Sequence, residues 1–374
     1  MTSRVAARDE SPFQVPAILD VLGGLVARHP ELWITLAGLE TRALSGLVQR
    51  TPLRAPIYIS GLARSGSTLL HEIIAAAPGV ATHRIKDYPL VFTPVWWRRA
   101  NAGRHPASPR ERAHADRILI TAESPDALEE MVWRPFFPRC HDPSVSAVIP
   151  SDARDPVFEA FYKSHLRKVV AAEQATRYVA KANYHVARLA YLVRVIPDAR
   201  FIIPIRDPET HVVSLMRQHV NFRAGQRRHR RALEYRRRSG HFEFGLDRRP
   251  IHLGDAEMVY RTQAAWRAGD EALGAALCWA VVYGYLARLL ADDPLVRAAS
   301  LVVRFESMCR APAQTLHEIA EHCQLSAMGA VIERYATEIR APSYYQSELT
   351  EREKAQVRAT VAETASLWGY SVDP

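Results

Sequence analysis

The sequence predicts an α/β protein: a three-layer sandwich with a central parallel sheet flanked by helices. Short apolar runs alternate with segments of helical period, which implies βαβ crossovers and ligand binding at the carboxyl ends of the strands. The first run leads through a pair of glycines straight into a helical segment. The 374 residues, 48% of them hydrophobic, suffice for one large core.

Taken in order, an amphipathic helical region covers 15–50, broken near His29-Pro30, and precedes a strand at 55–60. A helix follows at 67–77 and is stopped by Pro78-Gly79. RYVAK forms a strand at 177–181, with a helix at 184–195 after it. RFIIPI makes the strand 200–205, and Asp207-Pro208 suits the N-cap and first turn of the next helix. SLVVRF gives a strand at 300–305 and a helix at 312–323. The expected organisation is an N-terminal helical region, 1–54, and one domain over 55–374 with an arginine-rich insertion at 217–250.

Composition narrows the class. Cys140, Cys278, Cys309 and Cys323 show neither C-x-x-C pairing nor metal-ligand spacing, which argues for a reducing, cytoplasmic setting and against a disulfide frame or metal site. Charged residues from Arg4 to Glu10 precede any apolar run, so no signal peptide is expected. The uncharged stretch 272–287 is alanine-rich and too short to span a bilayer, and reads as a buried helix rather than an integral membrane segment. The net charge of +9 points to an anionic partner. Between Arg217 and Arg249 eleven arginines face three acids, a local excess of +8, so most of the imbalance sits in one segment. No run of stacking aromatics or reader motif accompanies it, which argues against nucleic acid and for a solvated arm or a lid over an anionic ligand.

The chemistry is carried by three strand ends. YISGLARSGSTLL, 58–70, has the G-x-x-x-x-G frame of a phosphate loop, with Ser67 where the lysine of a P-loop belongs. Gly61, Ser65, Gly66, Ser67 and Thr68 supply amides and hydroxyls around the start of a helix whose positive end favours an anion, and Arg64 brings charge from within the loop. At the second end, Arg206 faces the crevice with a fork suited to phosphate, and Ser214, two helical turns past Asp207, returns to the same face. Together they form a candidate second phosphate site. At the third, Lys181 ends its strand and can offer a compact cation to developing charge.

YISGLARSGSTLLHEIIAAAPGV resembles the 5′-phosphosulfate loop of sulfotransferases that use 3′-phosphoadenosine 5′-phosphosulfate (PAPS), in the branch with Arg-Ser-Gly-[ST]-Thr. PDARFIIPIRDPETHVVSLMRQH resembles that family's 3′-phosphate segment, with Arg206 and Ser214 at its arginine and serine. RYVAKANYH is similar to its K-S-P-x-H segment and LVVRFESMCRAPAQTLHEI to its late strand-loop-helix portion, so the likeness spans roughly 55–323. The resemblance implies a P-loop NTPase-like sulfotransferase fold, PAPS as donor, adenosine 3′,5′-bisphosphate (PAP) as product and no metal. It also explains the missing lysine, because PAPS has no β,γ-anhydride to grip.

The implied reaction moves a sulfuryl group to a hydroxyl or amine of a small-molecule, glycan or lipid acceptor. Arg64 and Lys181 stabilise the leaving oxygen. Related Arg-Ser-Gly enzymes place a glutamate shortly after the loop helix, whereas this chain reads THRIKDYP there, leaving His83 or Asp87 as base, with Glu129 and Glu130 further back. Tyr88, Phe92, Trp96, Trp97 and Trp133 are candidates for an acceptor pocket or for core. A homodimer is left open. The alternatives are a P-loop kinase or NTPase, and a non-catalytic nucleotide- or polyanion-binding protein.

Overall fold

The computed structural model describes residues 11–103, 108–116, 118–340 and 349–371. Five parallel strands form the sheet: β1 (Ile57–Ile59), β2 (Val80–Ala81), β3 (Arg177–Lys181), β4 (Arg200–Ile205) and β5 (Ser300–Arg304). Their spatial order is β2-β3-β1-β4-β5, so β1 is central and the chain reverses direction across the sheet on either side of it.

The two faces are read directly from side-chain alternation. Ile57, Ile59, Val179, Ile202 and Val303 enter one core, packed under the helices Ser67–Ala75, Pro312–His322 and Gly329–Glu338. Tyr58, Tyr178, Ala180, Phe201, Ile203 and Ile205 enter the other, covered by Pro156–Ala172, Pro208–Arg228 and Glu271–Asp292. A sheet buried on both faces needs apolar residues at every position, which is why its strands lack polar alternation.

The uncharged stretch lies inside Glu271–Asp292, a helix long and apolar enough to cross a membrane by length and composition. Here it is a core element: Trp279 and Tyr283 are fully buried, and they donate to the carbonyls of Arg206 and Pro204 at 3.2 and 2.9 Å. It therefore braces the end of β4.

Several boundaries differ from expectation. The helix after β1 ends at Ala75, and the segment after β3 is a 3-10 turn, Asn183–Ala187, followed by a short helix, Leu189–Val195. Between the two sits buried Arg188, held by both Glu130 carboxylate oxygens at 2.8 Å. The N-terminal region is three helices, Ala17–Arg28, Pro30–Ala43 and Ser45–Arg50, with the break at His29-Pro30 as expected. The arginine-rich segment is no free arm: it forms the end of Pro208–Arg228 and the helix Arg230–Ser239. Arg236 pairs with Glu243, Arg237 with Asp247, Arg238 with Asp20 and Arg248 with Glu271.

Candidate active site

At the carboxyl edge of the sheet lies a cavity of about 1160 Å³, lined by Arg64, Gly66, Ser67, Thr68, Lys181 and Arg206. Three strand ends predicted separately thus open onto one space. Ligand cavities typically run ~300–1,000 Å³, so this one has room for a nucleotide and a second molecule.

The phosphate loop is built on close approaches. A Cβ at Gly61 would lie 2.8 Å from the Pro204 carbonyl oxygen, and Gly66 has φ +95° with Phe305 packed against its Cα. Neither place admits a larger residue. Arg64 also has positive φ, +75°, and is held by its side chain: Nη1 donates to Asp116 at 2.8 Å and Nε to the Ser214 hydroxyl at 3.2 Å. His211 supports the loop from below. Burial lowers its pKa to about 3, so the ring is neutral and Nε2–H donates to the Ala63 carbonyl at 2.8 Å. The helix Ser67–Ala75 has Gly66 as its N-cap with no side-chain cap among the described residues, and the Ser65 hydroxyl is fully buried beside it. An anion lodged there would meet uncapped amides at the positive end of the helix.

Arg206 is almost fully buried, with its guanidinium 4.8 Å from the Phe305 ring centroid and Nε donating to Thr210 at 3.3 Å. Asp207 is the N-cap, as expected, accepting from Thr210 N at 3.0 Å. The Ser214 hydroxyl accepts the hydrogen bond from Arg64 Nε and so braces the loop arginine from the helix Pro208–Arg228.

Lys181 lines the opposite side. Burial lowers its pKa to about 8, against the attraction of Glu243, and its ammonium makes no hydrogen bond or ion pair among the described residues. Glu243 receives Asn183 Nδ2 at 2.6 Å and Arg236 Nη2 at 2.9 Å, and lies 3.4 Å from His241 Nδ1. His241 and Glu243 both line the cavity, and sequence reasoning passed over both. The signal available was a histidine two residues before a glutamate within the basic segment.

His83 and Asp87 do not line the cavity, a correction to their expected place as base. Both are buried beneath the end of β2. His83 Nε2 meets His165 Nε2 at 3.0 Å, and its Nδ1 is 3.5 Å from Asp87. Asp87 is the centre of an ionic network: Arg98 donates to both its oxygens, at 2.9 and 2.5 Å, and also reaches Glu173 at 2.7 Å, which in turn holds Arg84. Against burial, Arg98 and His83 hold the carboxyl well below the usual carboxylate range, so it stays ionised and occupied. Glu129 and Glu130 are equally committed, the first to Trp133, Tyr162 and Tyr178, the second to Arg188. Of the aromatics, Tyr88 reaches the cavity, Phe92 and Trp133 are core, and Trp96 is exposed. Glu130, Cys140 and His141 converge as potential metal ligands, but away from the cavity, with Glu130 paired to Arg188 and burial pushing the Cys140 thiol up to about 11.

No curated protein sequence matches this chain. Its fold is similar to that of sulfotransferase STF9 from Mycobacterium avium, with a TM-score of 0.51 at 14% identity, covering 89% of this chain and 82% of that one. Sulfotransferase STF1 from Mycobacterium tuberculosis H37Rv superposes with a TM-score of 0.46 at 17% identity, covering 95% and 89%. The profile of the sulfotransferase family matches residues 56–248, from the start of β1 through the arginine-rich segment and over half the chain. The chain belongs to the sulfotransferase family.

Proposed function

We propose that this sulfotransferase takes its sulfuryl group from PAPS and delivers it to a hydroxyl or amine of a small-molecule, glycan or lipid acceptor. The observation that carries the reading is the shared cavity of Arg64, Gly66, Ser67, Thr68, Lys181 and Arg206. Strands lie ~4.8 Å apart, so the ends of β3 and β4, on either side of β1, are roughly 10 Å from one another. That span suits a nucleotide with one anionic end on the phosphate loop and another on Arg206. In this reading the amides at Gly66 to Thr68 hold the 5′-phosphosulfate and Arg206 holds the 3′-phosphate. Arg64 and Lys181 stabilise the charge that grows on the bridging oxygen. Transfer needs no metal, and the four free thiols favour a cytoplasmic setting.

A thermal-shift comparison tests this directly. PAP should raise the melting temperature without magnesium, ATP with magnesium should do so weakly, and Arg206→Ala should abolish the PAP response. If ATP with magnesium stabilises better than PAP, a kinase or NTPase reading takes its place.

A further inference from the structure

We propose that His241 is the residue that takes the proton from the acceptor, with Glu243 as the group that positions it. The inference rests on the transferase reading above and adds the residue which that reading leaves unassigned.

The order of the strands sets where such a base has to stand. With Arg206 beyond β4 and the phosphate loop beyond central β1, a donor lying between them has its transferable end toward β3. The cavity wall on that side carries Lys181, Asn183, His241 and Glu243. Glu243 is partly buried and fixed by Asn183 and Arg236, and its carboxyl is held well below the usual range, against desolvation, by His241, Arg236 and Lys181. A carboxylate at 3.4 Å selects the tautomer with hydrogen on Nδ1 of His241, leaving a lone pair on Nε2. No hydrogen bond to Nε2 exists among the described residues, and the ring lies on the cavity wall.

Other groups on the wall are less suited, among them His114, which burial and then Arg112 and Arg64 hold well below its ordinary pKa. His71 is pushed down to about 3 by burial and then by Lys181, and its Nε2 is engaged with Thr82 at 2.8 Å. Asp116 is spent on Arg64 and Arg112, and Asp126 Oδ1 accepts from Ala127 N. Glu72, raised to about 7 by burial, is the rival, on the loop helix.

In the transfer, the acceptor oxygen bonds to sulfur as the sulfur–oxygen bond to the 5′-phosphate breaks. The electron pair leaves with PAP, the proton passes to Nε2, and the imidazolium faces Glu243 until solvent removes the proton.

The experiment compares acceptors that do and do not need a base, with labelled PAPS as donor and PAP release as readout. The panel contains 4-nitrophenol, whose hydroxyl ionises near neutral pH without help from the protein, together with unactivated phenols, primary alcohols, sugars and amines. His241→Gln should lower transfer to unactivated acceptors by on the order of 10²–10⁴, with a much smaller loss for 4-nitrophenol. Its thermal shift with PAP should match that of the parent, which separates the effect from misfolding; His241→Asn provides a second variant. Glu243→Gln should show the same selectivity with a smaller loss. If the parent enzyme transfers and His241→Gln keeps its rate with unactivated acceptors, or if Glu72→Gln alone produces the selective loss, the inference is overturned while the donor assignment stands. If the parent enzyme releases PAP neither to any acceptor in the panel nor to water, the transferase reading falls and takes the inference with it.

Discussion

Asp116 accepts a 2.8 Å hydrogen bond from Nη1 of Arg64, the arginine within the phosphate loop. Arg112 donates to both oxygens of the same carboxylate. Against burial, Arg112 and then Arg64 lower its pKa to about 2, so it carries a full negative charge at neutral pH, beside the loop proposed to hold an anionic donor. Neutralising it without changing its shape makes the cavity one charge more positive. Asp116→Asn should therefore tighten PAP binding about three- to tenfold, roughly 1 kcal/mol, measured calorimetrically at low salt. The gain should shrink as salt is raised and vanish in Arg64→Ala. Weaker binding in Asp116→Asn would mean that the carboxylate aims Arg64 rather than competing for it.

Lys181 gives the pH dependence. Burial takes it from its ordinary 10.5 to about 8, so it is charged below that pH and neutral above. PAP affinity should fall as pH rises through about 8, because a cation on the wall is lost. Lys181→Arg, which stays charged, should flatten the profile, and Lys181→Ala should be weak throughout. The effect on stability has the opposite sign. From about pH 8 to 10.5 the unfolded chain binds more protons at this lysine than the folded one, so the free protein should gain stability from this group over that interval. A pH-independent PAP affinity would remove Lys181 from the anion site.

The parts legible in sequence were those that local chemistry dictates. Runs such as RYVAK and RFIIPI announce strands buried on both faces, and residues at their carboxyl ends must face the crevice, so Lys181 and Arg206 were placed correctly on the edge. β2 escaped because two residues carry no period. His83 and Asp87 lie off the cavity for a different reason. THRIKDYP has the right residue types near the loop helix, but the partners that commit Asp87 and His83, namely Arg98, Glu173 and His165, come from elsewhere in the chain, and nothing local reveals them. Conversely, His241 and Glu243 share the cavity wall with Lys181 although about 60 residues separate them in sequence, and the density of arginines around them suggests a solvated arm. Ser214 shows the same limit from the other side: its hydrogen bond to Arg64 spans two distant segments, and helical spacing alone does not reveal it.

Gly66 and Arg206 are coupled through one ring. A Cβ on Gly66 would come within 2.8 Å of Phe305 Cδ2, and the same ring lies 4.8 Å from the Arg206 guanidinium. Gly66→Ala should cost ~1–3 kcal/mol from the positive φ alone, read as a lowered melting temperature, and should weaken PAP binding further by pushing the ring toward Arg206. Phe305→Ala should also weaken PAP binding. The double variant should lose less than the sum, because removing the ring relieves the clash while the strained φ remains. Strict additivity would show that the loop and the second anion site respond independently.

The N-terminal helices are tied to the rest by a buried charge. Lys168 Nζ, on Pro156–Ala172, sits 2.9 Å from Glu40 Oε2 and donates to the carbonyls of Ala37 and Phe92 at 3.0 and 3.3 Å. The other Glu40 oxygen accepts from Trp96 N at 2.7 Å, and the side chains of the pair are 1% and 0% exposed. Burial alone depresses the Lys168 pKa, and Glu40 pulls it back up. Removing one partner strands the other charge without water, so Lys168→Met should cost ~3–5 kcal/mol in denaturant unfolding. Glu40→Gln with Lys168→Met should cost less than Lys168→Met alone, since neither charge is then left behind. Deleting residues 1–54 removes Glu40 and uncovers the face that Ala37 and Val48 help to close. The truncated chain should not unfold cooperatively by calorimetry; a truncated chain that melts like the parent would make the helical region a separate unit.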